Sequence, residues 1–213
     1  MEKPKLKDKT SFWFLCLLLL AILSRIPLLY PDSMILDGDE ALMGLMSIFQ
    51  LEKGETPWYF WGQRYGFSLI EVSSISLFHL LLGYQHLAVK LGMMLVWLLA
   101  LSGSFFFLNE KLGKRWAFVV VLLFALHPVW FYWSLKARGG YLTALAASSW
   151  LFYFSSIHHR INPWLLGLII GSFLSLIFMS MKLWFPSSLA LSLGLVATSQ
   201  KRASIYLVSL ASG

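Results

Sequence analysis

Acidic residues are concentrated directly after the first hydrophobic segment of the sequence. Half of the chain's 10 acidic residues fall in this stretch, namely Asp37, Asp39, Glu40, Glu52 and Glu55. Asp37 and Glu40 have the spacing of a capping box, in which the two side chains bond backbone N–H groups at a helix start. Three carboxylates within residues 37–40 exceed what one cap needs, and a carboxylate can also take a proton from a hydroxyl group. Capping alone and capping combined with a chemical role both fit these three residues.

Several basic residues are candidates for stabilising an anion. Arg25 lies late in the first hydrophobic segment and Lys90 lies early in the second. Each fits a side chain that snorkels to the membrane surface or one that contacts a phosphate group. Lys136 and Arg138 precede the glycine pair at residues 139–140. A glycine pair lets backbone N–H groups approach an anion, and arginine bonds phosphate through two N–H groups, so this stretch favours an anionic ligand.

Aromatic residues follow the acidic stretch between turn-forming residues. They are Trp58, Tyr59, Phe60, Trp61 and Tyr65. They fit either a membrane-interface belt or a wall for a sugar or lipid headgroup. Glu71 and His79 are eight residues apart, which places them on one face of a predicted helix. Three roles fit this pair: a wetted polar face, a metal site or a general base. No Cys/His metal spacing occurs, so no metal residue is assigned and a divalent cation is left open as a cofactor.

The composition predicts the elements that must position these residues. Hydrophobic residues make up 58% of the chain, charged residues 13%, and the mean hydropathy is +0.71. Soluble domains have about 25% charged residues, so the sequence predicts an all-α protein that crosses the membrane several times. A span needs about 20 apolar residues. The predicted spans are 11–30, 86–108, 117–135, 141–157, 163–181, 184–199 and 203–213.

The basic clusters predict the orientation of these spans. Lysines precede the first span, and the later clusters are Lys111 with Lys114 and Arg115, His158 with His159 and Arg160, and Lys201 with Arg202. All of them are cytoplasmic if the N-terminus is cytoplasmic and segment 67–83 lies along the outer interface. Residues 31–85 then form an extracytoplasmic loop, in which 38–53 is an amphipathic interfacial helix. This distribution of charge argues against nucleic-acid binding.

The last apolar run stops at Gly213 without a flanking charge. We therefore expect an incomplete single transmembrane domain, with a genuinely short protein as the alternative.

Four stretches resemble one family of membrane enzymes. They are DGDEALMGLM, FWGQRYGFSLIE, the basic start of the second span and WSLKARGGYLTAL, in this order. Over about residues 20–155 they resemble the GT-C glycosyltransferases, which include protein mannosyltransferases and aminoarabinose transferases. The sequence is most similar to the bacterial glycosyltransferase family 39-like membrane proteins.

This resemblance implies a GT-C-like helical bundle in the plasma (inner) membrane with an extracytoplasmic active site. It implies inverting transfer of a sugar from a polyprenyl-phosphate donor to a lipid or glycan acceptor, with Asp39 as the general base and Glu40 beside it. The expected substrate-binding residues are Arg25, Lys90, Lys136, Arg138, Trp61, Tyr65 and Glu71. Relatives often have an acidic residue just after the Gly-Gly-aromatic motif, whereas Leu142 and Thr143 stand here, which argues against a metal site shared between the two loops.

Two other functions fit the hydrophobic pattern. A transporter or flippase would place charges or helix breaks near the middle of its spans. The interiors of the predicted spans are nearly free of acidic residues, which counts against ion coupling. An inactive fragment or assembly subunit is the other alternative.

Overall fold

The computed structural model describes residues 10–30, 35–63 and 66–197, and regular structure in these ranges is helical. The helices are α1 (Thr10–Arg25), α2 (Gly38–Lys53), α3 (Leu69–Leu82), α4 (His86–Leu112), α5 (Lys114–Leu126), α6 (Pro128–Trp133), α7 (Tyr141–Ser156), α8 (Pro163–Ser180) and α9 (Lys182–Ala197). One 3-10 turn, Ile26–Leu29, extends α1, and another, His158–Arg160, follows α7. The predicted all-α class is confirmed over these ranges.

Three helical segments are long and apolar enough to cross a membrane. They are Thr10–Leu29, His86–Leu112 and Pro163–Ser180, which match the predicted spans 11–30, 86–108 and 163–181. α4 has 27 residues and is therefore about 40 Å long, which exceeds the hydrocarbon core of a bilayer. The chain is therefore compatible with a membrane protein.

The other predicted spans take different forms. Segment 117–135 is divided at His127, because Pro128 lacks an N–H group and restricts the residue before it, so α5 ends and α6 begins there. α7 has 16 residues, fewer than the roughly 20 of a full span. α9 is also shorter than a full span. The predicted span 203–213 lies outside the described residues.

The helix predicted at 38–53 is confirmed as α2. Its capping box is complete: the N–H of Glu40 donates to Asp37 Oδ1 at 3.0 Å, and the N–H of Asp37 donates to Glu40 Oε2 at 3.1 Å. Gly54 ends the helix with φ 67°, a left-handed conformation in which glycine carries no side-chain penalty.

α4 is the centre of the bundle and packs against α1, α3, α5 and α7. Two of its glycines allow close contact. A Cβ on Gly92 would lie 2.7 Å from the backbone of Ile75 in α3, and a Cβ on Gly103 would lie 2.9 Å from that of Ser149 in α7. α3 and α4 form a helical hairpin, in which α3 lies along the N-terminal part of α4.

Two groups of charged residues lie at opposite ends of the bundle. Arg160 donates to Glu110 at 2.7 and 3.2 Å, and this ion pair joins the C-terminal end of α4 to the turn after α7. The basic clusters at 111–115 and 158–160 therefore share one end. The N-termini of α2 and α4 meet residues 134–140, which we call the basic loop, at the other end, which we call the site end.

Candidate functional site

Glu40 is the centre of a charged cluster at the site end. Its side chain is fully buried, and Lys90 Nζ donates to Oε1 at 2.5 Å while Lys136 Nζ donates to Oε2 at 2.9 Å. Helix α2 supplies the carboxylate, α4 supplies Lys90, and the basic loop supplies Lys136. One side chain thus caps α2 and also ties it to two distant parts of the chain.

Asp37 extends the cluster towards solvent. Lys136 Nζ donates to its Oδ2 at 3.1 Å and Arg138 Nη2 donates to the same oxygen at 2.8 Å. Burial alone would raise the pKa of Asp37, but the N–H of Glu40 and the two cations outweigh burial and lower it. Burial alone would lower the pKa of Lys136, but its contacts with Tyr132, Glu40 and Asp37 outweigh burial and raise it. Both groups are therefore held in their charged forms at neutral pH.

Asp39 is the most accessible carboxylate of the cluster. Its side chain is 48% exposed, and its contact with Arg138 Nη1, at 3.5 Å, is the longest in the cluster. The guanidinium of Arg138 stacks on the ring of Trp133 at 5.0 Å, and its Nε is buried without a hydrogen-bond partner among the described residues. A hydroxyl group from solvent can therefore reach Asp39, with Arg138 beside it.

An aromatic cavity adjoins this cluster. It has a volume of about 230 Å³, and its lining residues are Val129, Trp130, Trp133, Lys136, Tyr141, Leu142 and Trp184. The ammonium group of Lys136 lies 4.7 Å from the centre of the Tyr132 ring. The lining is almost entirely apolar, so the cavity suits a hydrophobic or ring-shaped group whose charged end lies at Lys136.

Phe60, in the aromatic stretch, packs against the basic loop rather than only lining an interface. Phe60 is buried, and a Cβ on Gly139 would lie 2.8 Å from its ring. Gly139 has φ 61° and Gly140 has φ 98°, so residues with side chains would be strained at both positions. Trp61 contacts Phe49 of α2 at 5.3 Å, and Tyr65 lies outside the described residues.

Arg25 occupies neither environment expected from the sequence, because its side chain is buried and lies away from the carboxylates. Its Nη2 donates to the carbonyl oxygen of Ala125 at 2.6 Å and its Nε to Ser134 Oγ at 3.2 Å. The guanidinium lies 5.6 Å from the ring of Trp97 and 5.3 Å from that of Phe131. Arg25 therefore joins α1 to the corner formed by α5 and α6.

Glu71 is buried at the N-terminus of α7. Its Oε1 accepts hydrogen bonds from the backbone N–H of Thr143 at 3.3 Å and from Thr143 Oγ1 at 3.4 Å. Burial raises the pKa of Glu71 to about 7, although the N–H groups at the start of α7 act in the opposite direction. The sequence has no acidic residue at 142 or 143, and the carboxylate of Glu71 reaches that place from α3.

His79 does not share a site with Glu71. Its Nδ1 lies 2.8 Å from Ser47 Oγ, so it joins α3 to α2. No group of three His, Cys, Asp or Glu residues suited to a metal ion occurs among the residues the structure describes.

The sequence singled out Asp39, Glu40, Lys90, Lys136 and Arg138, and the fold brings all five together. It did not single out Ser134, Thr143 or the tryptophans that line the cavity. Trp133 precedes the basic loop directly, which is the one local signal that could have pointed to it. Trp184 carried no such signal, because it is 48 positions from Lys136 along the chain and approaches it only through folding.

Comparisons with protein-family models, with curated proteins and with solved structures found no match to this chain. The resemblance to GT-C glycosyltransferases therefore stays a prediction.

Proposed function

We propose that the chain is a membrane glycosyltransferase, or the N-terminal part of one, that uses a polyprenyl-phosphate-linked sugar at the extracytoplasmic face. One observation carries this proposal. The carboxylates at the start of α2 meet the cations of α4 and the basic loop at one end of the bundle, and Asp39 is the most exposed carboxylate among them.

The orientation rests on charge and helix length. The basic clusters at 111–115 and 158–160 share the end opposite the site, and basic residues favour the cytoplasmic side. α3 has 14 residues and is about 21 Å long, too short to cross the bilayer between α2 and α4. The proposed N-terminus is therefore cytoplasmic and the site extracytoplasmic, in the plasma membrane.

The proposed reaction uses the separation of roles within the cluster. Asp39 takes the proton of an acceptor hydroxyl while that oxygen forms a bond to the anomeric carbon of the donor sugar. The bond from the anomeric carbon to the phosphate oxygen breaks, and its electron pair leaves with the polyprenyl phosphate. Arg138 and Lys136 stabilise the charge on the leaving phosphate. Because both already contact Asp37, the phosphate would have to share or replace that carboxylate.

The replacement Asp39→Asn tests the assignment of the base. Sugar transfer from a polyprenyl-phosphate donor in vesicles should fall by about 10²- to 10⁴-fold, the usual contribution of a general base. The half-exposed position of Asp39 predicts a change in unfolding free energy of about 0.5 kcal/mol. Glu52→Gln, an exposed acid on the same helix, is the matched control and should transfer normally.

The whole product of the gene should be assayed. Undiminished transfer by the Asp39→Asn variant would remove Asp39 as the base. If the wild-type protein instead moved a substrate across vesicles without transferring sugar, independently of Asp39, the result would favour a transporter or flippase.

A further inference from the structure

The basic loop is held at each end by a buried ionisable residue that lies outside the cluster. At its start, Arg25 Nε donates to Ser134 Oγ. Just beyond its end, Glu71 Oε1 accepts the N–H of Thr143, in the first turn of α7. Both side chains are fully buried. Lys136 and Arg138, the two cations of the loop that reach α2, lie between these anchored points.

Both side chains contact helix ends rather than a side-chain ion. Arg25 donates to the carbonyl oxygens of Ala21, in the last turn of α1, and of Ala125, near the end of α5. Helix C-termini carry partial negative charge, which stabilises a cation. Glu71 faces the N-terminus of α7, where the partial charge is positive and N–H groups lack helical partners. Neither residue forms an ion pair among the described residues.

We propose that Arg25 and Glu71 are positioning residues, which hold the two ends of the basic loop so that Lys136 and Arg138 reach the carboxylates of α2. This role differs from the direct substrate contacts expected from the sequence. It follows from where their hydrogen bonds go: Ser134 caps the C-terminus of α6, and Thr143 lies in the first turn of α7. The loop lies between these helix ends, so these contacts restrict its movement. The placement of the loop does not depend on the proposed function, but its effect on catalysis rests on that function.

Chemical modification of Lys136 tests this placement without any assay of transfer. Lys136 and Lys90 are equally buried, at 5% exposure, and both contact Glu40. Lys136 belongs to the loop, whereas Lys90 belongs to the long helix α4. The rate of acetylation of each lysine is measured at pH 8 in lipid nanodiscs by mass spectrometry of the peptides, so Lys90 is an internal reference.

The variants Arg25→Leu and Glu71→Leu should raise the acetylation rate of Lys136 about tenfold, which corresponds to about 1.4 kcal/mol of lost protection. The rate for Lys90 should not change. The replacements Arg25→Lys and Glu71→Gln keep a charge or an acceptor, so they should keep about half of this protection and raise the Lys136 rate only about threefold. Arg160→Leu and Glu110→Leu remove matched residues at the opposite end and should leave both lysines unchanged.

An unchanged Lys136 rate in both leucine variants would overturn the inference. An equal rise for Lys136 and Lys90 would also overturn it, because the two residues would then stabilise the whole bundle rather than the loop. If the leucine variants do not fold, the variants Arg25→Lys and Glu71→Gln test the inference instead. A rise of about threefold in the acetylation rate of Lys136 alone would support it, and no rise would contradict it.

The effect of loop placement on catalysis is tested separately from the placement itself. In an active protein, Glu71→Gln should raise the KM for the lipid-linked donor more than it lowers kcat, because the loop contacts the phosphate. A wild-type protein without transfer would contradict the proposed function, while the acetylation result would still decide the placement of the loop.

Discussion

Glu40→Gln is the most informative single change to the cluster. At neutral pH the cluster contains the carboxylates of Asp37, Asp39 and Glu40 and three cations, so its charges balance, 3 − 3 = 0. The variant changes the balance to 3 − 2 = +1 and leaves the buried ammonium group of Lys90 with an amide in place of its counter-ion. The side chain keeps its volume, so the effect comes from charge rather than from a cavity.

Removing one partner of a buried ion pair costs about 3–5 kcal/mol, because the other charge stays buried and uncompensated. For a chain of 213 residues, each kcal/mol lowers the unfolding midpoint by about 2–4 °C. The expected decrease is therefore about 6–20 °C. Glu52→Gln makes the same chemical change on the exposed part of α2 and should move the midpoint by about 1–2 °C at most, corresponding to no more than about 0.5 kcal/mol.

Tryptophan fluorescence of detergent-solubilised protein during heating measures these midpoints. The double variant Glu40→Gln with Lys90→Met restores the charge balance, 2 − 2 = 0, and should recover about half of the loss or more. A decrease below about 1 kcal/mol for Glu40→Gln would refute the account of Glu40 as a buried counter-ion. Strictly additive effects of the two changes would refute the coupling between Glu40 and Lys90.

Three further predictions concern packing and pH. Gly103→Ala places a Cβ 2.9 Å from the backbone of Ser149, so it should cost about 1–3 kcal/mol, whereas Gly167→Ala has open space and should be neutral or stabilising in the same thermal assay. Because the pKa of Asp37 is lowered in the folded state, its carboxylate stabilises the fold above pH 3.8, and this stabilisation is lost as the pH falls through the folded-state pKa. Asp37→Asn should therefore reduce the loss of stability between pH 5 and 3, measured as the free energy of unfolding. The pKa of Glu71 is raised from 4.5 to about 7, so the folded state binds the extra proton in that window and stability falls as the pH rises. Glu71→Gln should remove that decline, and an unchanged slope would contradict the assignment.

Local structure was predictable where neighbouring residues decide it. The bounds of α2 follow from Asp37, Glu40 and Gly54, because a capping box and a left-handed glycine act within a few residues of the helix they delimit. The same reasoning failed for 117–135, where the apolar run was continuous although the restriction that Pro128 places on His127 divides it. Hydropathy reports which residues avoid water and says nothing about a break in backbone hydrogen bonding.

The environments of the buried charges were not predictable, because each depends on distant segments. The sequence predicted that Glu40 caps a helix. In the structure it also contacts Lys90 and Lys136, which are 50 and 96 positions away along the chain. The sequence predicted a snorkelling or phosphate-binding role for Arg25. In the structure its side chain donates a hydrogen bond to the carbonyl oxygen of Ala125, 100 positions away along the chain. A charged residue in an apolar segment must find compensation, but the sequence does not show whether an ion, a helix end or solvent provides it.

By itself, the sequence determined the helical class, the apolar segments from which the three span-length helices form, and the carboxylates and cations available for a site. These properties follow from composition, periodicity and short-range capping. Only the tertiary structure decided that Glu40 is buried as a shared counter-ion, that Asp39 stays accessible, and that Arg25 and Glu71 lie at the ends of the basic loop. Burial and hydrogen bonding are set by segments that meet only when the bundle packs, so the chemistry of each charge was decided there.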